Sequence, residues 1–95
     1  MAIEKMTDVQ VEAWLSAHPK WKLANGKLQR ELRFESFSEA FGFMTRVAME
    51  AERCGHHPEW FNVYGLVRVD LTTHDCGGIS ERDFALADRM DRLSP

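Results

Sequence analysis

Between Trp21 and Thr73 the hydrophobic pattern changes period twice, and that alternation restricts the fold more than any other feature of the chain. WKL and KLQRELRF flank Ala24-Asn25-Gly26, an Asn-Gly turn signal, and Leu28, Leu32 and Phe34 share a parity with Arg30 while Gln29, Glu31 and Arg33 take the other. A two-residue repeat of this kind predicts a β-hairpin. Residues 36–53 then switch to helical spacing, with Phe37, Ala40, Phe41, Met44, Val47, Ala48 and Ala51 in a stripe, Ser36 or Ser38 as N-cap and Gly55 as the stop. The two-residue period returns in EWFNVY and VRVDLTT, which alternate around a turn expected at Gly65-Leu66, with Val67, Val69 and Leu71 inward.

Helical signals stand at both ends. Thr7 and Gln10 have capping-box spacing before Val11, Trp14 and Leu15, a stripe that Pro19 closes. Ser80 and Asp83 repeat that spacing before Leu86, Ala87 and Met90, and Phe84 lies outside this second stripe. The order is therefore αββαββα. Two hairpins divided by a helix predict an α+β fold: a four-stranded antiparallel sheet with three helices on one face, in a single domain over residues 1–95. A chain of 95 residues buries enough surface to dispense with a disulfide or metal staple, and the two cysteines, Cys54 and Cys76, read as free thiols.

Composition removes several function classes. The net charge of −3 without a Lys/Arg cluster argues against nucleic acid as a partner. No apolar run approaches the ~20 residues of a membrane span, and MAIEKMTDVQ lacks the apolar core of a secretory signal, so a cytoplasmic location is expected. The P-loop, GxGxxG, GxSxG and HExxH patterns are missing from the sequence.

What remains is GHHPEWFNVYG, residues 55–65, where two of the four histidines stand side by side. His56 and His57 follow the long helix and His74 follows the last strand, so the antiparallel return is expected to bring them to one end of the sheet, facing a pocket rather than the core. Imidazole gives and takes protons near neutrality, which suits general acid and base catalysis without a cofactor. Trp60, Asn62 and Tyr64 share a strand parity, an aromatic surface beside an amide that suits a flat heterocycle. Asp83 falls on the buried stripe of the last helix, where it either caps that helix or supports an imidazole; Glu52 lies four positions before His56. Cys54-x-His56 and His74-x-Cys76 offer metal ligands at gaps shorter than structural zinc sites use, so no metal is expected. Gly42, Thr45 and Met49 form a flat strip on the long helix that predicts a second contact surface.

Glu52-x-x-x-His56-His57-Pro58-Glu59-Trp60, Asn62-Val63-Tyr64, Thr73-His74-Asp75, Gly77-Gly78 and Asp83 with Leu86-Ala87 closely resemble the pterin-4a-carbinolamine dehydratases over Trp21 to Met90. The resemblance implies dehydration of 4a-hydroxytetrahydropterin to quinonoid dihydropterin, recycling the cofactor of aromatic amino-acid hydroxylases without metal or organic cofactor. It implies His56, His57 and His74 as the catalytic set and Asp83 and Glu52 as supporting carboxylates. Trp60, Asn62, Thr73 and Asp75 are then the expected substrate contacts. It further implies a homo-oligomer, dimer or tetramer, through the 38–53 helix and a sheet edge. The competing reading is an oligomeric protein-binding module, similar to the family's mammalian role as dimerisation cofactor of a homeodomain transcription factor.

Overall fold

The two hairpin turns fix the sheet. A computed structural model describes residues 2–95. In it Asn25 and Gly26 adopt left-handed φ of 54° and 76°, which makes the two-residue link between β1 (Lys22–Ala24) and β2 (Lys27–Arg33). The second turn lies on Tyr64-Gly65, one residue earlier than expected, so Val63 of β3 (Glu59–Val63) pairs with Leu66 of β4 (Leu66–Leu71). Close approach explains the shift. Phe34 N–H donates to the Gly65 carbonyl at 2.8 Å, and a Cβ on Gly65 would collide with the Phe34 carbonyl oxygen. Glycine is needed where the two chains touch, and Tyr64 accepts a φ of 49° instead.

The strands run in the order β1-β2-β4-β3, all antiparallel, with β2 and β4 central. Leu28, Leu32, Val67, Val69 and Leu71 are buried on the inner face, against α2 (Phe37–Cys54) and α3 (Glu81–Leu93). Arg30 shares that face and is buried too, because Asp91 of α3 takes its guanidinium and also accepts the Trp21 indole N–H at 3.0 Å. The first helix, α1 (Asp8–Ala17), is fastened to α3 by aromatic stacking. The Trp14 ring lies 3.8 Å from His18 and 4.9 Å from Phe84, which accounts for Phe84 leaving its helix's buried stripe. Three helices thus cover one face of the sheet, as the alternation of periods requires.

The caps fall where the sequence puts them: Thr7 with Gln10 and Ser80 with Asp83 form complete capping boxes, Ser36 accepts from Glu39 N–H, and Gly55 closes α2 at φ 67°. The phase of α2 differs from expectation. Its buried line is Ala40, Phe43, Val47 and Ala51, whereas Phe37 (53% exposed), Phe41 (52%) and Ala48 face outward. Apolar residues occupy more than half the helix circumference, so spacing identifies the helix while contact with β4 and α3 selects the face. Among the described residues no helix is long and apolar enough to cross a membrane.

Candidate active site

Gly55 ends α2 and leaves only His56, His57 and Pro58 before β3 begins at Glu59. Glu59 pairs with Asp70 near the end of β4, and after Leu71 the chain passes through Thr72 and Thr73 into a single 3-10 turn, His74–Cys76, closed by Gly77 at φ 70°. A bridge between Thr73 and Gly78 holds this loop beside the first turn of α3. Both histidine loops therefore lie at the same end of the sheet, as the antiparallel return predicts.

Each of the three imidazoles is held through the same atom. His56 Nε2 meets Asp83 Oδ1 at 2.6 Å, His57 Nε2 meets Glu52 Oε1 at 2.9 Å, and His74 Nε2 meets Glu59 Oε2 at 3.2 Å. With an ionised carboxylate as acceptor, Nε2 carries the proton in each ring and Nδ1 is left with its lone pair. Among the described residues none of the three Nδ1 atoms has a hydrogen-bond partner. Every buried side-chain nitrogen and oxygen among those residues does have one, so His56 Nδ1 must reach solvent even though that side chain is only 11% exposed.

Asp83 is fully buried and does both things the sequence leaves open. Its Oδ1 holds His56, while Oδ2 accepts from Ser80 N–H at 2.9 Å, which closes the capping box, and from the Thr73 hydroxyl at 2.8 Å. A run of donors feeds that oxygen: Arg82 N–H donates to Ser80 Oγ, Ser80 O–H to Thr73 Oγ at 2.7 Å, and Thr73 O–H to the carboxylate. His56 is accordingly part of a buried network and not a pocket side chain alone, which corrects the expectation for that residue.

The other expected contacts are distributed differently. Trp60 and Asn62 alternate onto the inner face opposite Val69 and Val67, with Trp60 packed against the core. Asn62 donates its amide to the Tyr64 and Leu66 carbonyls at 3.1 and 2.8 Å and so braces the second turn. Tyr64 lies past the strand end, 81% exposed. Thr73 is buried, and Asp75 is exposed, 3.9 Å from Arg82. A cleft of about 580 Å³ opens beside His74, walled by Lys5, Asp8, Leu23, Lys27 and Gly78, and neither His56 nor His57 lines it. Among the described residues no group of three or more His, Cys, Asp or Glu side chains converges as a metal site.

Two residues here escape sequence reading. Glu59 Oε1 accepts from Lys27 Nζ at 2.6 Å while its other oxygen holds His74. The Lys27 hydrogen bond keeps the Glu59 carboxyl below its usual range against the smaller opposing effect of desolvation, and the same bond raises the Lys27 ammonium. Glu59 stands inside the histidine motif, but its link to Lys27 depends on how β2, β4 and β3 are staggered.

Comparison with known proteins matches residues 4–93 to the family model described as pterin 4 alpha carbinolamine dehydratase. A curated protein of Prochlorococcus marinus named "Putative pterin-4-alpha-carbinolamine dehydratase" is 50% identical over 95 residues, covering 100% of this chain and 99% of its own. A protein of the same name from Solibacter usitatus is 49% identical over 90 residues, 95% of each chain. The crystal structure of a transcriptional coactivator/pterin dehydratase from Brucella melitensis matches with a TM-score of 0.92 at 37% identity, over 97% of this chain and 100% of that one.

Proposed function

Because the chain belongs to the pterin 4 alpha carbinolamine dehydratase family, we propose that it dehydrates a 4a-hydroxytetrahydropterin to quinonoid dihydropterin and water by histidine acid–base catalysis. The observation that carries this reading is the trio of imidazoles at one end of the sheet, each with Nε2 on a carboxylate and Nδ1 unpartnered. Elimination needs a proton delivered to the departing 4a-oxygen and the N5 proton removed as the C4a=N5 bond forms. A protonated Nδ1 supplies the first and a neutral Nδ1 the second, so His56, His57 and His74 suffice between them. Asp83 and Glu52 hold His56 and His57 in the tautomer that leaves Nδ1 available. Trp60 and Asp75 are assigned to the ring's surroundings, while Asn62 and Thr73, whose side chains are bonded within the protein, support the frame. The product is the form that reduction returns to aromatic amino-acid hydroxylases. Chemically made 4a-hydroxytetrahydropterin, followed by absorbance with and without the protein, tests the assignment, and equal decay in both would overturn it.

A second reading rests on the outward face of α2, where the Phe37 and Phe41 rings lie tilted against each other at 5.4 Å and Met49 is 66% exposed. Such a face suits a homo-oligomer formed through the 38–53 helix, with a sheet edge available for further pairing, and the same assembly would serve a protein-binding role in the cell's soluble interior. Gly42 allows a clean test. A Cβ there meets only Arg46 at an ordinary 3.5 Å, so Gly42→Glu fits the folded chain and gains a partner one turn on. Light scattering is expected to show wild-type oligomers dissociating in this variant; a wild-type monomer would overturn the oligomer.

A further inference from the structure

We propose that Glu59, anchored by Lys27, is the positioning residue that fixes the tautomer and orientation of His74. The inference rests on the dehydratase reading for its consequence in rate, but its geometry stands alone. His74 is 82% exposed in its side chain and sits in a three-residue turn, so few packing contacts restrain the ring. Glu59 instead lies in a paired strand, opposite Asp70, and its two oxygens have different partners: Lys27 Nζ at 2.6 Å on Oε1 and His74 Nε2 at 3.2 Å on Oε2. Lys27 opens β2, where Ala24↔Lys27 closes the first hairpin, so strands from both hairpins meet at this carboxylate. A carboxylate pinned at one oxygen presents the other in a fixed direction, and a ring donating Nε2–H to it is left with Nδ1 as its only proton acceptor.

The neighbouring charges favour this arrangement: Asp70, 3.9 Å from Arg68, adds to the attraction that keeps Lys27 protonated. Asp70 is bonded by Gln29 at 2.9 Å, and Asp75, next to His74 in the chain, faces Arg82. The Lys27 bond holds Glu59 ionised further into acid than an ordinary carboxyl, so the acceptor survives below the pH at which an unpaired carboxyl would take up a proton. His74 and Lys27 also wall the same cleft, so the chain of contacts runs along the rim where a ligand would enter beside His74.

The deciding experiment is ring ¹⁵N NMR of His74 in wild type, Glu59→Gln and Lys27→Met, combined with steady-state dehydration of 4a-hydroxytetrahydropterin. Neutral His74 is expected as the Nε2–H tautomer in wild type and as a mixture in Glu59→Gln, because the amide can present either a donor or an acceptor. The rate should fall in kcat by roughly ten- to a hundredfold with KM little changed, the scale on which a misplaced catalytic group loses rate. Lys27→Met is expected to give a smaller change in the same direction. A wild-type Nδ1–H tautomer, or a tautomer untouched by Glu59→Gln, would overturn the proposal. A wild type without dehydratase activity would instead overturn the functional reading, leaving the NMR result to decide this one.

Discussion

The His56–Asp83 pair and the His57–Glu52 pair both join Nε2 to a carboxylate oxygen, at 2.6 and 2.9 Å, yet they sit in opposite environments. Asp83 is fully buried and bonded by Ser80 and Thr73 besides the imidazole, whereas Glu52 is 82% exposed and His57 64%. Water competes with an exposed pair and screens it, so the bond orients a ring and adds little to folding. A buried carboxylate without its partner is a different matter, because its lost hydration is then uncompensated. One geometry therefore occurs in two settings: the inner pair is tied into the core, and the outer pairs hold rings that face solvent.

The largest effect that would break this comparison is expected from His56→Ala. Removing the imidazole leaves Asp83 buried with its Oδ1 unpaired, and stability should fall by roughly 3 to 5 kcal/mol, the range for breaking a buried pair. His57→Ala and His74→Ala should stay within about 0.5 kcal/mol of wild type while each lowers dehydration by about 10² to 10⁴. Urea unfolding monitored beside turnover separates the two classes. Equal losses of stability in all three variants would erase the distinction between inner and outer pairs.

A middle-sized effect is expected from Asp83→Asn, and proton accounting gives its form. Ser80 N–H and Thr73 O–H both need an acceptor at the Oδ2 position, so the amide oxygen takes that place and the NH₂ turns toward His56. His56 Nε2 must then accept, its proton moves to Nδ1, and the ring loses the lone pair proposed for catalysis. Stability should drop by about 1 to 3 kcal/mol, as for a lost hydrogen bond to a charged group, and ¹⁵N NMR should show the tautomer exchanged. A cap alone would not move the tautomer, so an unchanged ring would return Asp83 to a purely structural role.

How much of this was legible in the sequence depends on the distance over which each feature is decided. The caps at Thr7, Ser36, Ser80 and Gly55 are set within one helical turn and stand where the spacing puts them. The element order and inward parity of Val67, Val69 and Leu71 follow from local period, and the histidine motif identifies the family. The phase of α2 and the second turn were displaced because contacts from elsewhere in the chain decide them: β4 and α3 choose the helix face, and Phe34 chooses which residue must be glycine. Spacing raised both roles for Asp83 as alternatives, whereas its two oxygens fill them together. Lys27–Glu59 was invisible for a further reason, since it joins strands 32 positions apart across a third.

That outermost pair supplies the smallest effect and the sharpest contrast with Asp83. Glu59 has its carboxyl lowered chiefly by the Lys27 hydrogen bond, and Lys27 is raised chiefly by the same bond. A lowered carboxyl adds stability above its unfolded pKa and loses it as pH falls through the folded value; a raised ammonium adds stability below its unfolded pKa and loses it as pH climbs through the folded value. The pair therefore contributes evenly across neutral pH and fades only in strong acid or strong base. Both groups are solvated, so the contribution to folding is small and screened by salt. In Lys27→Met, carboxyl ¹³C NMR should find Glu59 titrating higher, nearer the ordinary range, while the urea midpoint at neutral pH stays in place. If the midpoint moved as far as in His56→Ala, exposure would no longer separate the pairs, and the outer carboxylates would have to be counted as part of the core's support.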